Sequence, residues 1–292
     1  MNFSIKTLSL IAATLIAAIP ATLCAQDPTI AAGDAQLTRF ADSIVDFSPA
    51  TELSEFVSSP NAALGAPDVN STGDPDFNPV GLVSLGDPGP DQAAGSITVG
   101  FSTPVNNSLG EQIAVFSNSF GFEGSVFAEL AFVEVSSDGI NFTRFENSSS
   151  VTAAGSSPAN PLTDLEFDFS GNLDFATIPN RNLVSGFAGA DDSNFGTVFD
   201  LNGLANDATV LDGILDLNSI GFVRILDIPG DGRFVDSFGN PIFDAFSPNN
   251  ITGGFDLDAV GVVSPTAVPE PSSLALIGFA TSIAVLRRRR NN

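Results

Sequence analysis

The chain reads as an all-β protein, and three observations carry that reading. Its 292 residues include 27 glycines and 19 prolines, which gather with Asn, Asp and Ser into clusters between short apolar segments, the punctuation of turns between strands. Several of those segments alternate apolar and polar residues at strand period and are rich in β-branched side chains. Continuous uncharged apolar runs stand at the two ends. One β-sandwich over 26–263 is expected, because about 240 residues suffice for a single large all-β core.

At the start, "MNFSIKTLSLIAATLIAAIPATLCAQ" places Lys6 before an apolar stretch and small residues around Ala25. That is the order of a secretory signal peptide over 1–25, cut after Ala25. Two other readings compete: a lipid-bearing Cys24, against which Leu23 stands where a small residue is wanted, and an uncleaved anchor, for which the run is short.

In the body, GSITVGF at 95–101 sets Ile97, Val99 and Phe101 on one face, and EQIAVFSN at 111–118 follows the turn-like NNSLG. These two strands are expected to pair antiparallel. Residues 126–145, VFAELAFVEVSSDGINFTRF, predict a long strand, a turn at Ser137, Asp138 and Gly139, and a return through Phe142 and Phe145. IGFVRILDI at 220–228 and GFDLDAVGVV at 254–263 predict two late core strands. Residues 148–215 are less periodic and predict irregular chain with one turn of helix. No repeat of fixed period points to a solenoid or propeller.

SPTAVPEP at 264–271 predicts an extended linker. Beyond it, Ser272–Leu286 is 15 residues without a charge, as a helix about 22 Å long against a hydrocarbon core of about 30 Å. It spans a membrane only marginally. Arg287, Arg288, Arg289 and Arg290 open the basic tail 287–292 and hold that end in the cytoplasm, leaving the exported body outside.

The net charge is −24, and of ten basic residues Lys6 and the four tail arginines lie outside the body, leaving five within it. Of the 34 acids only Glu270 lies beyond the body. Such a surface repels nucleic acid and anionic membranes and attracts divalent cations or basic partners. Nucleic-acid binding is excluded. The lone cysteine, Cys24, leaves with the signal, so packing or metal must hold the body without disulfides. With no histidine, no histidine-based catalytic arrangement exists, and with no Trp or Tyr the aromatic core is phenylalanine alone.

The acids therefore deserve weighing as ligands. Strict alternation over GFDLDAVGVV sets Asp256 and Asp258 on the face of Val260 and Val262, with Phe255, Leu257 and Ala259 on the other. Buried carboxylates need a cation or several donors, and calcium takes six to eight hard oxygens. Asp87 and Asp91 of GDPGPD, or Asp227 and Asp231 of DIPGDGRFVD, are candidates to complete a structural calcium shell. The alternative is that Asp256 hydrogen-bonds a turn and the loop acids are solvated. Two carboxylates can also hydrolyse a glycosidic bond, but no segment isolates one acid convincingly; Glu129 in FAELAF comes closest and is expected to pair with Arg144 or Arg224. A non-enzyme is the reading.

Several segments in order, ALGAPD at 63–68, VSLGDPGPDQAAGSITVGFSTPV at 83–105, AVFSNSF at 114–120, FAELAFVEVSSDGINFTRF, FDL at 199–201, FVRILD and GFDLDAV, resemble secreted bacterial surface proteins with a jelly-roll domain akin to discoidin and galactose-binding modules. The resemblance implies end loops that bind a sugar or extracellular polysaccharide, commonly beside a structural calcium. A sugar platform wants an exposed Trp or Tyr, and Phe120, Phe122 and Phe127 read more readily as core.

Pro269, Glu270 and Pro271, the marginal helix and Arg287–Arg290 resemble a PEP-CTERM sorting signal. The resemblance implies an exosortase-type enzyme that cuts near the triplet and releases or transfers the body to the cell surface or extracellular matrix, in a structural or adhesive role. By that logic the helix is a temporary retainer, like a lipid-anchor signal whose apolar tail is removed. Without processing it is a permanent single-pass anchor.

Overall fold

The computed structural model describes residues 26–53, 57–68, 81–86, 88, 92–122, 125–151, 164–166, 174–176, 178, 181–191, 194–243 and 254–265. The expected signal peptide, the PEP triplet, the apolar helix and the arginine tail lie outside them, as do Asp87 and Asp91. Among the described residues no helix is long and apolar enough to cross a membrane.

Two antiparallel sheets form the body. Their strands are β1 Thr29–Ala31, β2 Leu37–Phe40, β3 Ser43–Ser48, β4 Val83–Ser84, β5 Ser96–Val105, β6 Gln112–Ser117, β7 Ala131–Ser136, β8 Thr143–Arg144, β9 Phe195–Phe199, β10 Ile220–Asp227 and β11 Asp256–Val263. The first sheet has the order β1-β9-β6-β11-β2, with β4 also on β11; the second runs β8-β7-β10-β5-β3. The chain changes sheet at every step from β2 to β7 and again at every step from β8 to β11. This is an all-β arrangement compatible with a jelly roll.

The expected pairing of 95–101 with 111–118 does not occur. β5 instead lies between β10 and β3, with Val99 opposite both Val223 and Ile44, while β6 lies between β9 and β11. The connection Asn106–Glu111 carries the chain across the sandwich instead of folding it back in one sheet. Its 3₁₀ turn, Asn107–Leu109, is capped by the Asn106 side chain, which accepts from the Ser108 amide, and this local competition ends the strand. The 137–142 turn does join an antiparallel pair, with Glu134 opposite Arg144 and Val135 opposite Thr143.

Between the sheets Ile97, Val99, Val133, Val135, Val223 and Ile225 meet Ile113, Val115, Val260 and Val262 in one cluster. Each such side chain contributes about 1.5–3 kcal/mol when fully buried. A second cluster, including Leu130, Phe132, Phe187, Ile228 and Ile242, covers the other face of the second sheet. A third, including Ile30, Phe116, Val198 and Ala259, packs on the reverse of the first. Central strands are thus buried on both faces, every residue of β7 and β11 included, and that is why they read as nearly unbroken apolar runs. Phe127 is buried, as core. One close approach makes the second cluster possible: Gly189 (φ 83) sits where a Cβ would collide with the Glu129 carbonyl, so Ala188 and Ala131 exchange backbone hydrogen bonds of 3.0 and 3.2 Å.

Candidate functional site

The last strand delivers the chain to its C-terminal segment, and its exit is fixed. β11 ends at Val263, opposite Gln112 and Leu37. The Ser264 amide then donates to the Gln36 carbonyl at 2.8 Å, and the Ser264 hydroxyl lies 2.9 Å from that of Thr38. Beside them Arg39 grips Glu111 with two hydrogen bonds of 2.7 Å, and Glu111 also accepts from the Asn106 amide at 2.8 Å. These bonds hold the Glu111 carboxyl below its ordinary range, the Arg39 contact most of all. Gly110, at φ 73, leaves room for Pro265, whose Cγ would lie 3.2 Å from an added Cβ. Nothing in the local sequence marks Arg39 and Glu111 as partners, because they meet only through β2 and the start of β6.

Of the candidate calcium ligands, Asp227, Asp256 and Asp258 have side chains among the described residues. Leu257 lies opposite Ser117 and Ala259 opposite Phe116, so Asp258 is the extra residue of a β-bulge. The bulge breaks the strict alternation expected of 254–263: Phe255, Leu257, Val260 and Val262 all face the inter-sheet core, while Ala259 and Val263 face the reverse. With Phe255 and Leu257 turned to the core on either side of it, Asp256 does not share the face of Val260 and Val262.

Asp256 lies opposite Ser84 of β4 and is buried, with Oδ1 lacking any hydrogen-bond partner. Burial pushes its carboxyl up to about 7, against hydrogen bonds from Ser84 and Asn118. Asp258 accepts from the Asp68 amide at 3.1 Å and is likewise pushed up to about 7, chiefly by burial and further by the charge of Asp68. Asp227, fully buried, accepts from the Phe255 amide at 2.8 Å and so ties the end of β10 to the start of β11. Asp231 opens a separate ribbon, Asp231–Val235 with Pro241–Phe243. Among the described residues no group of three or more acids converges as a metal shell would, so Asp227, Asp256 and Asp258 alone do not meet calcium's demand for six to eight oxygens.

Elsewhere the scarce arginines are all placed against carboxylates or backbone. Glu134, not Glu129, receives Arg144 and Arg224: Arg144 Nε and Nη2 donate to Oε1 at 3.0 and 2.8 Å, and Arg224 Nε to Oε2 at 2.6 Å. The two guanidinium groups also stack 3.7 Å over Phe132 and 4.0 Å over Phe142, a favourable cation–π geometry. Arg181 binds Asp191 at 2.6 Å and Asp27 at 3.3 Å, fastening the segment before β1 to the region before β9.

What results is an exported-type architecture, an all-β body handing over within a few residues to a C-terminal sorting segment. Residues 267–290 match the PEP-CTERM protein-sorting motif, and they contain Pro269, Glu270, Pro271 and Arg287–Arg290. The motif indicates export, membrane anchoring before processing, and processing by an exosortase. No curated protein and no solved structure matches the chain.

Proposed function

We propose that this protein is a non-enzymatic structural component of the bacterial cell surface or extracellular matrix, with a jelly-roll body that an exosortase frees from the membrane by cutting near Pro269, Glu270 and Pro271. The sorting motif at 267–290 carries this reading. The strand order supports the jelly roll, and the pinned exit at Ser264 supports a body already complete before the cut. Intact mass of the protein from the native host's surface and medium tests it: a chain ending near residue 270 is expected, and one that still includes Arg290 overturns it.

A second reading concerns the body alone, in which Asp256 ligates a structural calcium with oxygens beyond those already named. It is favoured by one observation, the buried Oδ1 of Asp256 without a hydrogen-bond partner. A ligand bound only to the folded state raises stability by mass action, so excess EGTA lowers the melting temperature under this reading. An unchanged transition after verified metal removal overturns it.

A further inference from the structure

The loops at the exit end of the sandwich form one continuous surface. Asn107 and Ser108 join the 200–219 segment: the Asn107 amide donates to the Leu217 carbonyl at 3.1 Å, the Ser108 amide to Asn218 at 2.9 Å, and the Asn107 side chain to Asn202 at 3.0 Å. The same segment joins the 137–142 turn, where the Asp216 amide donates to Ser137 Oγ at 3.2 Å and Thr143 and Thr209 share a 2.6 Å hydroxyl contact. Gly110 completes the surface against Pro265.

Four large aliphatic side chains stand in solvent on these loops: Leu109 at 64 %, Ile140 at 81 %, Leu211 at 70 % and Ile214 at 46 % exposure. Around them lie Asp138, Asp200, Asp207, Asp212 and Asp216, and the three loop segments contain no Lys or Arg. Apolar contact area rimmed by one sign of charge fits a protein partner with an apolar centre and a basic rim. The same acids oppose an anionic lipid surface.

The chain also says where such a partner would stand. Pro269 follows Pro265 by four residue steps, a reach of about 14 Å when extended. An enzyme cutting at the triplet must therefore work beside this end of the folded body. We propose that the exosortase docks on the exit end through Leu109, Ile140, Leu211 and Ile214, with basic side chains facing the surrounding aspartates, and so recognises the folded body as well as the linear motif. This rests on the processing reading above.

The test is pulse-chase intact mass of the full chain in its native host, with the four aliphatics changed together (L109S, I140S, L211S, I214S). Processing is expected to slow about tenfold, as loss of a central apolar contact does at interfaces, while the melting temperature stays within about 4 °C because the side chains are exposed. The paired control V235S and F238S, at 50 % and 64 % exposed positions on the separate ribbon, is expected to process at the wild-type rate. A photo-crosslinking residue in place of Leu211 is expected to form an adduct with the enzyme. Equal rates for the fourfold variant and wild type, or crosslinks to lipid alone, overturn the docking. If wild type itself is never cut, it is the processing reading that fails.

Discussion

Glu134 and Asp256 both project from strands in the centre of a sheet and are almost equally withdrawn from water, at 6 % and 7 % exposure. Glu134 holds two guanidinium groups, each stacked on a phenylalanine. Asp256 has hydroxyl and amide donors from Ser84 and Asn118, and an oxygen left bare. A buried carboxylate with only neutral donors takes up a proton near neutrality. Four of the five arginines in the body serve Glu111, Glu134, Asp191 and Asp27, while the donors at Asp256 are the neutral Ser84 and Asn118.

The largest expected effect breaks the Glu134 side. Glu134→Ala strands two cations and is expected to cost about 3 kcal/mol in urea unfolding, near the low end for a broken buried pair because both guanidinium groups reach solvent. Glu134→Gln should recover part of that. A loss below about 0.5 kcal/mol, the usual size of a surface change, would remove the contrast.

Next comes the other side. Asp256→Asn, measured near pH 8 in EGTA, is expected to gain about 2 kcal/mol, half the ceiling set by a shift from 3.8 to about 7 at about 1.4 kcal/mol per unit. A loss in calcium and a gain in EGTA would mark Asp256 as a metal ligand instead. The pH dependence has a definite sign: with folded values near 7 above an unfolded 3.8, the folded state binds more protons in that window. Stability contributed by Asp256 and Asp258 therefore falls as pH rises from about 4 to about 7. Asp258→Asn, whose carboxyl keeps a backbone donor, is expected to flatten this slope less, with a gain of about 1 kcal/mol. A wild-type stability profile that rises throughout this window would sink the protonation argument.

The smallest effect lies at the 137–142 turn. Asp138 is held well below its ordinary range by the Asn141 and Ile140 amides, so its contribution is present above about pH 4 and fades as pH falls through the depressed value. Asp138→Ala is expected to lower the melting temperature slightly at neutral pH and not at all in strong acid. An undiminished difference in acid would mean the aspartate acts through packing.

Much of the strand content is legible in the sequence: alternation marks β5, and strand-length apolar runs bounded by turn residues mark β6, β7, β10 and β11. β1, β2 and β3 are not, being three, four and six residues long with mostly half-buried or exposed side chains. β9, Phe195–Phe199, hid in a segment otherwise rich in turn residues, although Thr197 and Val198 were a local signal. The pairing of β5 with β6 was misread because a turn-like sequence tells that the chain bends, not whether it stays in one sheet. The strict alternation expected over 254–263 breaks at Asp258, since a bulge is a mismatch between two strands and has no mark on either alone. Glu134 was passed over for Glu129 because register, not apolar context, decides which carboxylate Arg224 meets, and Arg224 stands opposite Glu134.

By itself the sequence determined what is linear: an all-β composition, an acidic body without histidine or a retained disulfide, and the sorting motif at 267–290, which is read along the chain and needs no partner strand. Only the tertiary structure decided which carboxylates receive the few arginines, which are left to protonate, and which loops stand beside the exit at Ser264. Those outcomes depend on long-range register, where one shifted residue exchanges a side chain's neighbours, and composition and local period carry no information about it.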